Sequence, residues 1–232
     1  MNRGVVERYR LSLFGRMIPG VSHEVDNHLS VILGFSELIQ IAAGNEPKVR
    51  DSAGKVLAAC GKTGEIIGNY SRYARPHRPA REAFAPGVMF REILSFARYD
   101  LERNNVTLSH PTPVHAGVLH CDRFDLALAL LALLFNGSEA MAAGGGVLGL
   151  SVEHVDGGWE FTVSDRGAGI PAGQEEKVFE EGFTTRGEPY HAGMGLPVAR
   201  HLVGEAGGTL TVRNRSGGGC LATIKVPAGL PG

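Results

Sequence analysis

The chain has 232 residues, 43% of them hydrophobic, which fits one large or two small domains with an ordinary buried core. Its 23 basic and 24 acidic side chains leave a formal net charge of −1, so no global positive field attracts nucleic acid or an anionic membrane. Three widely spaced cysteines argue against a disulfide framework, and the lack of any run of about 18 apolar residues argues against a membrane span. We expect a cytoplasmic protein that binds no nucleic acid.

Two helices are predicted at the N-terminus, at about residues 5–43 and 48–73, with a break at Gly44 to Pro47. In the first, apolar side chains recur at three- and four-residue steps, which is the spacing of one helical face. They are Val21, Val25, Leu29, Ile32, Phe35 and Ile39. A two-helix hairpin cannot bury such a face alone, so we predict a homodimer in which two hairpins form a four-helix bundle.

A second domain is predicted after a linker. Residues 74–81 are rich in proline and arginine, so we divide the chain into a helical domain at 1–75, a linker at 76–82 and a domain at 83–232. The pattern of the last domain predicts helices at about 87–103, 123–142 and 194–206, and strands at about 106–109, 117–120, 147–154, 159–164, 209–214 and 220–226. Helices grouped with mostly antiparallel strands predict an α/β sandwich with the helices on one sheet face, and an α+β fold for the whole chain.

The residues after the predicted strand at 159–164 have the composition of a nucleotide site. Asp165 can accept a hydrogen bond from an exocyclic amine, while Gly167 and Gly169 allow the backbone to turn sharply and approach a flat ring. Alone, this D-x-G-x-G pattern also occurs in calcium loops and ordinary turns. Asn136, on the preceding predicted helix, offers an amide oxygen that suits Mg²⁺ bridged to phosphates, and without these companions it would be a solvated helix residue or a local cap.

A second glycine motif opens the next predicted helix. Gly193 and Gly195, followed by Leu196, lie where free backbone N–H groups and the helix dipole suit phosphate oxygens. The segment between the two glycine motifs offers hydroxyls and a guanidinium that could close over a triphosphate, from Thr184, Thr185 and Arg186.

The first helix carries a candidate phosphate acceptor, His23. It lies about 160° around the helix from the apolar stripe, at roughly 100° per residue, so it should face solvent. Its neutral imidazole keeps a lone pair for attack on a γ-phosphoryl group, and Glu24 can orient the ring or take its proton. Asn27 lies about one turn further along the same face, where an amide could position a water. Taken alone, such a His-Glu pair is usually solvated surface.

Together these motifs resemble those of sensor histidine kinases. Asn136, the D-x-G-x-G run from Asp165, residues 179–185 and the Gly193-x-Gly195 motif stand in the order of that family's N, G1, F and G2 boxes, in an ATP domain of the GHKL (Bergerat) type. Residues 22–38 resemble the H box of the dimerisation and histidine phosphotransfer domain. The resemblance implies these roles: Mg²⁺ at Asn136, the adenine amine at Asp165, phosphates near Gly193 and Gly195, and a mobile lid with Thr184, Thr185 and Arg186.

The chain departs from the family pattern at three positions. His28 stands where the family usually has a proline. That proline is expected to kink the helix, and histidine does not require a kink. Ala132, four residues before Asn136, replaces the first asparagine of the N box; related ATPases carry a catalytic glutamate there, so alanine is expected to disfavour direct hydrolysis of ATP. His191 falls where the longer G2 pattern has its first glycine. We expect these departures to affect the rate and the lid geometry more than the class of reaction.

The sequence therefore predicts a two-component histidine kinase, an ATP-dependent protein-histidine kinase that uses ATP and Mg²⁺. His23 would take the γ-phosphoryl group and pass it to an aspartate of a response regulator, and Glu24-x-x-Asn27 matches the family's motif for dephosphorylating such a regulator. About 20 residues precede the H box, too few for a sensor domain, so the input is expected from a separate sensor protein or through the N-terminal helix. Two alternatives stay open: a histidine phosphotransfer protein with a relic ATP domain, and a GHKL-type ATP-binding switch or serine kinase.

Overall fold

The computed structural model describes residues 1–42, 46–75, 77–109, 117–155, 157–185 and 193–228 of the chain. They form two compact units. The first, which we call the helical unit, is Phe14–Pro76, and the second, the sheet unit, combines Met1–Leu13 with His77–Gly232. In this division the first 13 residues, and most of the predicted linker, group with the C-terminal part of the chain.

The two N-terminal helices end within about two residues of their predicted limits. Helix α1 is Arg3–Ile41 and helix α2 is Glu46–Ala74. Inside the helical unit, the rings of Phe14 and Tyr73 stack with centroids 5.7 Å apart, and the Tyr70 hydroxyl donates a 2.8 Å hydrogen bond to the Phe14 carbonyl. Burial raises the pKa of Tyr70, which keeps this hydroxyl protonated as a donor.

The helical unit also presents apolar surface to solvent. The predicted stripe on α1 is half-buried, except for Leu29, which is exposed. Further large apolar side chains of this unit are exposed: Ile18, Val31, Leu33, Leu38, Ile41, Leu57 and Ile67. Single exposed hydrophobic residues are common, but such a concentration on two helices is typical of an interaction surface.

Within the described residues from 77 onward, the sheet unit contains a five-stranded main sheet, a separate pair of strands, three α-helices and a short 3-10 helix at Lys177–Phe179. Its elements are β1 (Glu82–Phe84), α3 (Pro86–Arg103), β2 (Val106–Ser109), β3 (Leu119–Cys121), α4 (Arg123–Ala140), β4 (Gly146–Val155), β5 (Gly158–Ser164), α5 (Gly195–Glu205), β6 (Thr209–Asn214) and β7 (Cys220–Pro227). The strand order in the main sheet is β2-β4-β5-β7-β6. Strand β2 runs parallel to β4 and the other neighbours are antiparallel, while β1 and β3 pair separately.

Helix α4 is the centre of the sheet unit. Its side chains are buried without interruption from Leu126 to Phe135, and a helix that is apolar on every side must be covered on every side. It packs against α3 and α5 and on β4 and β5. The sheet contributes alternate side chains to this core, as expected for a sheet with one covered face: Leu148, Leu150 and Val152 from β4, and Trp159, Phe161 and Val163 from β5. The predicted order of a helical region followed by a mixed α/β sheet domain is confirmed.

The last residue of the predicted linker, Glu82, begins a strand. Glu82–Phe84 forms β1 and pairs antiparallel with β3, with Phe84 opposite Leu119. A strand of three residues is too short to show an alternating pattern, so the sequence could not indicate it. Strand β3 itself begins two residues later than the sequence predicts.

The start of α4 holds the linker in place. The Asp122 side chain is the N-cap, and its Oδ1 accepts 3.0 Å hydrogen bonds from the backbone N–H groups of Phe124 and Asp125. Its Oδ2 accepts a 2.7 Å hydrogen bond from the Ala80 backbone N–H and lies 2.7 Å from Nε2 of His77. One carboxylate therefore caps a core helix and ties down residues 77–80.

Replacing Asp122 by alanine is expected to lower the free energy of unfolding by about 2 kcal/mol. Loss of an N-cap costs about 1 kcal/mol, and leaving the Ala80 N–H without its acceptor costs a similar amount. Urea denaturation followed by circular dichroism measures the change. Glu175→Ala, at an exposed loop position, is the matched control and should change stability by less than about 0.5 kcal/mol. An Asp122→Ala variant as stable as this control would contradict the assignment.

None of the helices in the described ranges is long and apolar enough to span a lipid bilayer.

Candidate nucleotide-binding site

One cavity in the sheet unit collects most of the C-terminal residues that the sequence indicates. It lies among α4, the loop after β5, the start of α5 and strands β6 and β7. The predicted residues that line it are Asn136, Asp165, Gly169, Thr184, Thr185, Gly193, Gly195 and Leu196. Gly167 stands behind this lining, against Ala140 of α4.

Asp165 is held firmly in this cavity. It is 6% exposed, and its Oδ1 accepts hydrogen bonds from the backbone N–H groups of Gly167 at 2.8 Å and Cys220 at 3.1 Å. Its own carbonyl accepts a 2.8 Å hydrogen bond from Nη1 of Arg215. Within the described part of the chain Oδ2 takes no hydrogen bond, so this oxygen can accept one from a ligand.

The loop after Asp165 depends on two glycines. A Cβ on Gly167 would lie 2.6 Å from the carbonyl oxygen of Ala140, and Gly169 has φ +78°, where a Cβ would lie 2.8 Å from Oδ1 of Asn214. Asn214 fixes the loop from the other side, because its Oδ1 accepts a 2.7 Å hydrogen bond from the Ile170 N–H and its Nδ2 donates a 2.8 Å bond to the Ile170 carbonyl. The loop therefore forms a fixed edge of the cavity.

Apolar side chains form much of the remaining wall. They come from α4, β5, the loop, β6 and β7, and are Leu133, Val163, Ile170, Val178, Val212 and Ala222. A slot with aliphatic walls and one carboxylate suits a flat heterocycle that carries an exocyclic amine. The ring faces bury against aliphatic carbon, and the amine donates to the carboxylate.

The start of α5 supplies polar groups to the same cavity. Helix α5 begins at Gly195, and the preceding Met194 makes no side-chain capping bond, so the first backbone N–H groups of the helix can serve an anion. Gly193 has φ +70°, and a Cβ there would overlap the carbonyl of Phe183. The predicted lid segment and the start of α5 therefore meet backbone to backbone, which only glycine permits.

The residues present fit a magnesium ion beside this helix start. The Asn136 amide lies next to Gly195, since a Cβ on Gly195 would lie 3.1 Å from Nδ2 and 3.3 Å from Oδ1 of Asn136. Glu139, one turn further along α4, also lines the cavity. Amide and carboxylate oxygens are the hard ligands that Mg²⁺ prefers.

The predicted lid is described only in part. Thr184 and Thr185 line the cavity and are exposed, which puts two hydroxyl groups at its rim. Arg186 and His191 lie outside the described residues, so the roles predicted for them remain predictions.

The candidate acceptor residues lie on α1 in the helical unit. His23 and Asn27 are exposed and Glu24 is half-buried. Asn27 lies four positions after His23, so both belong to one face of the helix. The helix continues through His28, which is half-buried, to Ile41.

The sequence did not indicate the residues that fix Asp165 and the loop after it: Asn214 bonds Ile170, while Arg215 and Cys220 bond Asp165. Asn214 ends β6 and Cys220 begins β7, and only the folded sheet brings them to a loop some fifty positions earlier, as the separation of 50 between Arg215 and Asp165 illustrates. The glycine run at 217–219 was an available signal, because it predicts a tight turn that places the residues on both sides at one end of the sheet. Gly219 has φ +80°, and a Cβ there would overlap the Asp165 carbonyl.

Comparison with known proteins identifies the type of domain. Residues 121–230 match the family model described as histidine kinase-, DNA gyrase B-, and HSP90-like ATPase. The solved catalytic domain of the histidine kinase ThkA has the same fold, with a TM-score of 0.56 and 23% identity over 64% of this chain and 96% of that domain. Residues 121–230 are therefore similar in sequence to this ATPase family, and the sheet unit has the fold of a histidine kinase catalytic domain.

Curated relatives that match along most of the chain include sensor histidine kinases and a sporulation kinase. Sensor histidine kinase ZraS of Escherichia coli (strain K12) is 24% identical over 221 residues, which are 95% of this chain and 47% of that protein. Sporulation kinase B of Bacillus subtilis (strain 168) is 25% identical over 241 residues, covering 98% of this chain and 53% of that protein. The chain spans about half the length of these relatives. The resemblance to sensor histidine kinases predicted from the motifs is confirmed.

A further solved structure extends the likeness in fold to both units. It is histidine kinase ThkA in complex with the response regulator protein TrrA, with a TM-score of 0.55 and 22% identity over 96% of this chain and 64% of that one.

Proposed function

We propose that this chain is the kinase core of a two-component system, which transfers the γ-phosphoryl group of ATP to His23 and from there to an aspartate of a response regulator. One observation carries the proposal. The fold brings Asp165, Asn136 and Gly195, which the sequence separates widely, into a single cavity whose walls suit an adenine ring. The exposed His23 on a helical hairpin supplies the acceptor.

Each part of the cavity has a role in holding ATP. Oδ2 of Asp165 accepts the hydrogen bond of the adenine amine, and the N–H groups at the start of α5 bind phosphate oxygens. Thr184, Thr185 and Arg186 close over the triphosphate. Asn136 and Glu139 hold Mg²⁺, which when bound neutralises charge on the phosphates.

The transfer then needs a nucleophile and a base. The neutral imidazole of His23 attacks the γ-phosphorus, a P–N bond forms, and the bond to the bridging oxygen breaks as ADP leaves with its electrons. Glu24 takes the proton that the ring loses. In the second step an aspartate oxygen of the regulator attacks the phosphorus and the P–N bond breaks. Asn27, one turn from His23, positions a water that hydrolyses the regulator's acyl phosphate, which would give the same surface a phosphatase activity.

The helical unit provides the dimer in this proposal. Apolar side chains on α1 and α2, such as Leu33, Ile41 and Leu57, are exposed to solvent. Together they form a larger apolar surface than a water-soluble helical hairpin normally exposes. Two copies that pack as a four-helix bundle cover this surface. We propose residues 1–75 as the dimerisation and phosphotransfer region, 76–82 as the linker and 83–232 as the kinase domain.

Two other functions explain the structure less well. A histidine phosphotransfer protein has no need of an intact nucleotide cavity, yet Asp165 keeps both of its fixed hydrogen bonds here. A direct ATPase needs a base to activate water, and Ala132, at the corresponding position of α4, is 1% exposed and offers none.

The decisive experiment is incubation of the full chain with γ-labelled ATP and Mg²⁺. We expect label that survives base and is lost in acid, as a phosphoramidate should, and that moves rapidly to a purified receiver domain. Acid-stable label indicates a serine kinase. A chain that binds ATP but takes up no label contradicts the kinase assignment.

Cys220 provides a separate test of ATP binding. It is half-buried and lines the cavity, whereas Cys60 is exposed, and burial raises the pKa of Cys121 to about 12, so that thiol stays unreactive. In a Cys60→Ser variant we expect ATP at ten times its Kd to slow alkylation of Cys220 about tenfold, since about nine sites in ten are then occupied. Mass spectrometry measures the rate. In wild-type protein, alkylation of Cys60 should not respond to ATP, and an equal response at both cysteines would contradict the assignment.

A further inference from the structure

The first 13 residues pack as part of the sheet unit. Val6 and Leu13 are almost completely buried, and Met1 borders a groove with Pro197 and His201 of α5. At the beginning of α1, the Arg3 guanidinium donates two hydrogen bonds to the Asp125 carboxylate on α4, at 2.9 and 3.2 Å.

This segment places a tyrosine beside the phosphate end of the nucleotide cavity. Tyr9 is 5% exposed, and its hydroxyl lies 3.3 Å from the point where a Cβ on Gly195 would stand. Both side-chain atoms of the Asn136 amide lie within 3.3 Å of the same point. The phenol oxygen therefore stands next to the first residue of α5 and to the side chain that we assign to Mg²⁺.

We propose that Met1–Leu13 is an autoinhibitory strap, in which the Tyr9 hydroxyl occupies space that the Mg²⁺-bound phosphates need and the Arg3–Asp125 ion pair holds the segment down. The inference rests on the proposed nucleotide site. The strap acts only at the phosphate end, because the adenine end is built from Asp165 and the loop that follows it. A nucleoside therefore binds with the strap in place, whereas a triphosphate must displace it.

The contacts that hold the strap allow it to open. Arg3 is 34% exposed, and an ion pair that is partly in water contributes little to the closed state. When only a fraction f of the molecules has the strap open, the apparent Kd for ATP is the intrinsic value divided by f. Changes that open the strap therefore tighten ATP binding and leave adenosine binding as it was.

The test is the ratio of the Kd for ATP to the Kd for adenosine, measured by calorimetry on the full chain with Mg²⁺. Tyr9→Phe removes the hydroxyl and keeps the packed ring, and Arg3→Ala removes the ion pair. We expect both variants to lower the ratio about threefold or more. Leu11→Ala, at a position of the same segment that is 56% exposed, should leave the ratio unchanged.

The ratio separates this inference from the proposed function. General damage to the fold weakens both ligands and cancels in the ratio, so an unchanged or increased ratio in Tyr9→Phe and Arg3→Ala overturns the strap. If wild-type protein and variants bind neither ligand, the nucleotide site itself is wrong. Hydrogen exchange provides a second readout: ATP should increase exchange of the amides of residues 3–13, and adenosine should not. Equal exchange with both ligands would also overturn the strap.

Discussion

A His23→Ala variant is expected to take up no phosphoryl label from ATP while it binds ATP as the wild type does. The imidazole is the only nucleophile in the proposed first step, so its loss leaves no acceptor at that position. His23 is exposed, so the substitution should change the free energy of unfolding by less than about 0.5 kcal/mol. Filter-bound radioactivity after a fixed incubation, with ATP affinity measured in parallel, gives both quantities.

His28→Ala is the matched control for this experiment. His28 lies on the same helix, five residues further along, and is half-buried. It has no role in the proposed transfer, so the variant should keep acid-labile label. Label that persists in His23→Ala, or disappears equally in both variants, would show that His23 is not the acceptor.

An Asp165→Asn variant is expected to bind ATP about 30- to 150-fold more weakly, which corresponds to about 2–3 kcal/mol. The amide oxygen can still accept the hydrogen bonds that Gly167 and Cys220 donate to Oδ1, so the loop keeps its anchor. The amide nitrogen replaces Oδ2 and turns a donor toward the adenine amine, which is itself a donor. Calorimetric titration with ATP measures the loss, and phosphorylation of His23 at subsaturating ATP should fall by the same factor.

Inosine triphosphate distinguishes this cause from damage to the fold. Its base carries a carbonyl oxygen where adenine carries the amine, so the amide of Asp165→Asn can donate to it. We expect the variant to lose its preference for ATP over inosine triphosphate. Equal weakening of both nucleotides would mean that the carboxylate supports the loop and does not recognise the base.

Most of the fold could be predicted from local sequence patterns. The apolar stripe of α1, the uninterrupted apolar run of α4 and the alternation in β4 and β5 predict their elements, because each depends on residues near in sequence. Strand β1 was missed because three residues carry no period. The grouping of residues 1–13 with the sheet unit was not predicted, because Asp125, the partner of Arg3, is 122 positions away. The spacing of residues within one helix does not indicate which distant residue it contacts.

The residues of the site could be predicted from the sequence where they belong to motifs. Asp165, Gly169, Gly193 and Gly195 were indicated because glycine and aspartate at these spacings, in two motifs along one chain, are typical of a loop that approaches a ligand. The hydrogen bonds that position Asp165 come from β7 and the turn before it, and a lone asparagine such as Asn214 occurs in many ordinary turns and surfaces. Tyr9 was missed for the same reason, since one tyrosine on a helix gives no sign of what it covers.

The separation between Arg3 and Asp125 also sets an order of events during synthesis. Translation at about 5–20 residues per second brings Asp125 out of the ribosome roughly ten seconds after Arg3, and Gly195 later still. The helical hairpin can form during that interval, whereas the N-terminal segment must wait for a surface that has not yet been made. A fragment that starts at residue 77 never receives this segment, so its Asp125 carboxylate should lack the arginine partner, and the apolar surface that Val6 and Leu13 cover should be exposed.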